Sequence, residues 1–197
     1  MRAFSFALTF ICLFVLTYIF LGMVDALPEP RVSDTTRPVQ TEPADMPADT
    51  RELPTRVVIK DAGIDWKVLN PTATDLDTLN AAVDEAPMRW PTSGLLGVDG
   101  TVALFGHSSH LPIVHNQAFK AFNGIEKLKD GQIISVYSAT TEYRYKVTDV
   151  RVASADEDVV ELPADGKYLA LITCDNFGSK SDRYVVTADF EGAYPVN

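Results

Sequence analysis

Cysteine is nearly absent from this chain: its 197 residues hold two, Cys12 and Cys174. Cys12 lies in a long uncharged N-terminal segment, so an exported domain containing Cys174 has no internal partner for a disulfide. Cationic charge is scarce too. Lys and Arg together number 17 against 27 Asp and Glu, for a formal net charge of −10. No basic patch stands out, and binding a phosphate backbone relies on clustered Lys and Arg, so nucleic acid is excluded as a partner. The length leaves room for one well-buried domain with attachments, not for a second full domain.

What is present divides the chain into three parts. Residues 3–24 carry no charge over 22 positions. As a helix this stretch would reach about 33 Å, enough to cross a bilayer core. Arg2 precedes it and acidic, proline-rich sequence follows, which predicts residues 1–24 as a single-pass anchor with everything after Asp25 outside the cell. A cleaved signal peptide is the alternative, and Val24-Asp25-Ala26 is a passable small-residue site. The apolar stretch, however, is longer than the roughly 7–15 residues of such a signal. Residues 25–56 hold seven acidic side chains, four basic ones and six prolines. That composition buries no core and predicts an extended tether.

Residues 57–197 read as the folded domain. Short runs rich in β-branched and aromatic residues predict strands over 57–59, 66–69, 101–105, 133–137, 143–152, 168–173 and 184–190. Apolar residues at 76, 79 and 83, and again at 119, 122, 125 and 128, predict short helices over 76–84 and 119–128. Seven or eight short strands must hide their edges. The expected fold is therefore mainly β, a closed or nearly closed barrel with short helices.

Three reactive side chains fall at strand margins. Cys174 ends the apolar run 169–173, Arg183 opens the run 184–186, and the run 101–105 delivers Gly106-His107-Ser108-Ser109. Taken singly, each has a plainer reading. A cysteine in an apolar strand is more often a buried small hydrophobe, a strand-end histidine is often simply hydrogen-bonded, and Arg183 could pair with Asp182 or Asp175. Their joint occurrence is more specific, because strand ends and the loops beyond them are where side chains meet substrate.

A Gly-His after a buried strand, Leu171-Ile172-Thr173-Cys174, and an Arg opening the next strand together resemble the sortases, the membrane-anchored cysteine transpeptidases. Phe122, Ile125, Leu128, Lys129 and Gly131 are similar to that family's Phe-x-x-Leu-x-x-Leu-Lys-x-Gly stretch. The resemblance covers roughly residues 57–190. Ala170 departs from it where threonine is frequent, and Gln132 where an acidic residue is common. It implies an eight-stranded sortase barrel in which the Cys174 thiolate forms a thioester acyl-enzyme. His107 would serve as acid and base, and Arg183 as donor to the oxyanion or the substrate backbone. It also implies surface proteins with a C-terminal Leu-Pro-x-Thr-Gly-like signal as substrates. The acceptor amine would come from a peptidoglycan precursor or a pilin lysine.

The same residues admit other readings. His107, His110 and His115 with Cys174 could supply four zinc ligands, but nothing in the spacing fixes that geometry. No cofactor is therefore required by the reading. Some sortases bind calcium through carboxylates, and the acidic cluster Asp156, Glu157, Asp158, Glu161 and Asp165 leaves that option open without a matching motif. An L,D-transpeptidase would show Gly before its cysteine, where this chain has Thr173. Pilin polymerisation is the alternative within the family, although no Asp-Pro-aromatic lid motif is visible. A tethered, non-enzymatic β-barrel that binds a surface protein or glycan is the alternative outside it. Leu162-Pro163-Ala164-Asp165-Gly166 looks like a sorting signal but sits inside the domain, which makes coincidence the better explanation.

Overall fold

The computed structural model describes residues 52–109, 111–154, 162–174 and 183–196. The predicted anchor and most of the tether, His110, and the acidic residues Asp156, Glu157, Asp158 and Glu161 lie outside them. Among the described residues, no helix is long and apolar enough to cross a membrane. The chain divides into two compact units. The smaller comprises residues 1–39 and 111–116, and its described part carries a buried Val114 after the exposed Leu111 and Ile113. The larger, residues 40–110 and 117–197, holds all the regular structure described below.

Its elements are β1 (Arg56–Ile59), β2 (Ile64–Lys67), α1 (Leu76–Glu85), β3 (Met88–Arg89), β4 (Gly100–Phe105), β5 (Ile133–Tyr137), β6 (Thr141–Ala153), β7 (Lys167–Cys174) and β8 (Arg183–Pro195). The eight strands form one sheet in the order β2-β1-β5-β6-β8-β7-β4-β3. All neighbours run antiparallel except β4 and β7, which are parallel. The expected closed or nearly closed barrel is present as a curled sheet whose two edges meet at one bridge among the described residues: the Leu69 N–H donates to the Pro87 carbonyl at 2.9 Å and the Arg89 N–H to the Leu69 carbonyl at 2.8 Å. The edge strands are too short for a continuous closing ladder, with four residues in β2 and two in β3.

Strand β7 shows why the middle of the sheet is so apolar. Leu169 and Leu171 enter the main core with Val57, Leu104, Phe122, Tyr143 and Val186, while Ala170 and Ile172 enter a second cluster with Ala103, Ala153 and Val185. A strand covered on both faces reads as a continuous apolar run rather than an alternating one. The predicted helix over 119–128 is replaced by two short 3-10 helices, Gln117–Lys120 and Ile125–Lys127. Gly124 separates them at φ 97°, left-handed backbone that glycine adopts without penalty.

Candidate active site

Topology brings the three sequence-predicted residues to one edge of the sheet. Because β4 and β7 are parallel, both finish at the same edge, and their register pairs Phe105 with Ile172. The Gly106 N–H continues the ladder to the Ile172 carbonyl at 3.2 Å. His107 follows two residues beyond the end of β4, and Cys174 two residues beyond Ile172 on β7. Antiparallel β8 starts where β7 stops, with Arg183 directly opposite Cys174. The strands that end or begin there lie in the order β4, β7, β8. For Cys174 this is a statement about the backbone, which closes β7.

His107 is held from four directions. Gly106 lies so close to Phe122 that a Cβ there would come within 2.7 Å of the ring, so only glycine lets the chain pass. The His107 carbonyl accepts from the Phe122 N–H at 2.9 Å. Phe119 meets the imidazole edge-on, with centroids 5.0 Å apart. On α1, Asp84 places Oδ1 2.9 Å from Nε2. The loop beyond is pinned by Asn123, whose amide oxygen accepts from the Ser109 N–H at 2.8 Å and whose amide nitrogen donates to the Ser109 carbonyl at 2.9 Å. The helix that carries Asp84 is capped by Asp75, which accepts from the Thr78 N–H at 2.9 Å. That hydrogen bond holds the Asp75 carboxyl below its ordinary range.

A groove of about 820 Å³ opens between α1, β3–β4 and the β7–β8 edge, with His107, Thr173 and Arg183 in its wall. Leu76, Leu79 and Val83 contribute from the helix, Trp90 and Phe105 from the β3–β4 side, and Leu162 and Pro163 from the segment before β7. Trp90 and Phe105 are in ring contact at 5.3 Å. The paired alanines 103 and 170 belong to the cluster beneath, and side chains this short leave room above the sheet. Leu162-Pro163-Ala164, noted for its likeness to a sorting signal, is thus part of the wall. Thr101 anchors it through the Pro163 carbonyl.

Two supporting residues escaped the sequence reading. Asp84 is one. The other is Arg89, buried to 7% exposure, whose Nη1 donates to the carbonyls of Trp90 and Ser93 at 3.0 and 2.9 Å and whose Nη2 donates to that of Pro91 at 3.2 Å. It braces the turn that lines the groove, and burial lowers its pKa. Nothing in the local pattern distinguishes Arg89 from a surface arginine. Among the described residues, no group of three or more His, Cys, Asp or Glu side chains could hold a metal ion. His115 is exposed and belongs to the smaller unit.

A family model described as a sortase domain matches residues 57–191. A sortase A of Bacillus anthracis is 29% identical over 161 residues, covering 81% of this chain and 70% of that protein. Among solved structures, sortase A of Listeria monocytogenes superposes with a TM-score of 0.59 at 20% identity, covering 74% of this chain and 92% of that one. Sortase E of Streptomyces avermitilis gives 0.56 at 23% identity, with 75% and 93% covered. At these identities the two structures speak for the fold.

Proposed function

This chain belongs to the sortase family, transpeptidases that anchor or polymerise surface proteins, and from that premise we propose that it is a cysteine transpeptidase using Cys174, His107 and Arg183. The reading is supported by topology: Cys174 closes β7 opposite Arg183 at the start of β8, His107 follows the end of β4, which is parallel to β7, and His107 and Arg183 line one groove. The Cys174 thiolate attacks the scissile carbonyl carbon of a Leu-Pro-x-Thr-Gly-like signal, and the C–N bond breaks. The leaving nitrogen takes its proton from the His107 imidazolium, and the acyl group remains as a thioester. An acceptor amine then attacks the thioester carbonyl and gives a proton to His107. The C–S bond breaks and the thiolate returns. One amide bond is exchanged for another, and no oxidant or metal enters the balance.

Arg183 supplies hydrogen-bond donors where negative charge develops on the carbonyl oxygen, a role its permanently charged planar fork suits. The apolar walls of the groove suit the uncharged Leu-Pro portion of such a signal. Residues 1–24 serve as the anchor and the proline-rich acidic segment after them as a tether, which presents the domain at the outer face of the cell membrane where sorting signals are met.

The test is transpeptidation by the full-length protein, with Leu-Pro-x-Thr-Gly-like peptides and an amine acceptor. The parent is expected to give an acyl adduct by mass spectrometry and an amine-ligated product. Cys174→Ala is expected to give neither while keeping its fold, since only a sulfur is lost. An adduct on Cys174→Ala would remove Cys174 from the nucleophile role.

A further inference from the structure

We infer that Asp84 is a positioning residue for His107: its carboxylate holds the Nε2–H, fixes the imidazole tautomer, and assigns proton exchange with substrate to Nδ1. This rests on the reading of His107 as the acid and base of the transfer.

The geometry is direct. Asp84 Oδ1 stands 2.9 Å from His107 Nε2. An ionised carboxylate only accepts, so the hydrogen between them belongs to the ring. A neutral imidazole with its hydrogen on Nε2 keeps its lone pair on Nδ1, and the partner of one nitrogen thereby sets the chemistry of the other. Phe119, edge-on at 5.0 Å, restricts rotation of the same ring. Two contacts thus fix both the orientation and the tautomer.

Helix α1 itself gains nothing from a carboxylate at this position. Asp84 and Glu85 both fall in the last turn, where no basic side chain is present. The negative end of the helix dipole disfavours acids there. Glu85 is engaged by Lys67 across the surface. The Asp84 side chain is 55% exposed against 20% for His107. An ion pair this open contributes little to stability. A local choice that disfavours its own helix, and reaches the proposed acid and base, points to function.

The route through the fold is short. Asp84 lies four residues before Met88, His107 lies two after Phe105, and Met88 pairs with Phe105 in the β3–β4 ladder. Buried Leu79 anchors the helix, and its end is tied by the Ala86 N–H to the Ala82 carbonyl at 3.1 Å.

The experiment combines ¹⁵N NMR of the histidine rings in the full-length protein with kinetics of Asp84→Asn, Asp84→Ala and Asp84→Glu. The ring signal of His107 is identified by its disappearance in His107→Ala. The parent is expected to show the Nε2–H tautomer above the imidazolium range, and Asp84→Asn a mixture, because an amide can donate to Nε2 as well as accept. Turnover is expected to fall about 10- to 100-fold in the Asn and Ala variants, part of what acid and base catalysis contributes. KM should stay within about twofold and the thermal midpoint should not fall, with partial rescue by Glu. A parent His107 in the Nδ1–H tautomer overturns the inference without needing any substrate. So does parental turnover in Asp84→Ala while His107→Ala is inactive. Parental turnover in His107→Ala would instead sink the reading on which the inference rests.

Discussion

Arg183 stands directly opposite Cys174 in the β7–β8 ladder, although eight residues separate them along the chain. Directly opposed residues of an antiparallel pair lie about 4.5–5.5 Å apart at Cα, so the β7–β8 connection returns the chain to the proposed nucleophile. Strand β8 at this point also pairs with β6, through Arg183 and Ala153. The guanidinium is thus carried on a strand bonded on both sides rather than on a free loop.

From this placement Arg183→Ala is expected to lower transpeptidation about 10²- to 10³-fold, the effect of removing an oxyanion donor. A surface ion pair would instead leave rate alone and cost about 0–1 kcal/mol of stability. Arg183→Lys keeps the charge and loses the planar fork, so recovery should be partial. Rates for both variants, measured with their thermal midpoints, decide the matter. Turnover of Arg183→Ala within a few-fold of the parent would make Arg183 structural.

Gly106→Ala is expected to damage the site through packing alone. The added methyl would lie 2.7 Å from the Phe122 ring, inside the main core. Overpacking of this kind costs about 1–3 kcal/mol, and relief by backbone movement would displace His107 next door. A lowered thermal midpoint together with a turnover loss beyond that of the folded fraction is the expected pair of results. An unchanged midpoint would show that Phe122 yields without strain.

Much of this arrangement could be read from the residues because the strands are short, apolar and well separated. The seven predicted runs all correspond to strands, although the run over 66–69 overlaps β2 by only two residues. Strand β3 escaped because two residues carry no periodicity, and Met88 and Arg89 owe their pairing to β4. The apolar spacing at 119, 122, 125 and 128 fits one face of an α-helix, yet a period of three equally fits 3-10 turns. The bonds there run three residues back, as from the Ala121 N–H to the Ala118 carbonyl and from the Leu128 N–H to the Ile125 carbonyl. Asp84 was invisible for a different reason. On the polar side of an amphipathic helix it looks like any solvated acid, and its partner lies 23 residues away.

Acid sensitivity should trace in part to Glu142. Its carboxylate accepts from Arg144 Nε at 2.9 Å and Nη2 at 3.0 Å, and from the Ser135 hydroxyl at 2.7 Å. Burial pushes its pKa up, but these hydrogen bonds outweigh burial and the net direction is down. A group with a folded pKa below its unfolded value stabilises fully above about pH 4.3 and loses that contribution as pH falls through the folded value. Asp65, held down by Arg56, adds to the same window. Glu142→Gln is expected to flatten the decline of thermal midpoint below about pH 4.3, measured from pH 7 to 2. A decline as steep as the parent's would assign acid sensitivity to other carboxylates.

The upstream margin of the folded unit offers the last test, because contacts begin before Val57. Glu52 accepts from the Tyr143 hydroxyl at 3.1 Å, its backbone bridges to Leu96, and Thr55 bonds both the Tyr137 carbonyl and the Val68 N–H. Tyr143 is fully buried, so without Glu52 its hydroxyl loses its acceptor, at a cost of about 1–3 kcal/mol. At roughly 2–4 °C per kcal/mol for a domain of this size, Glu52→Ala should lower the midpoint by several degrees. A form beginning at Val57 should lose more, since the Arg56–Asp65 pair and the Thr55 bonds go with it. Strands β5 and β6 stand between β1 and β8, so turnover per folded molecule is expected to be unaffected in Glu52→Ala. An undiminished midpoint in the form beginning at Val57 would return residues 52–56 to the tether.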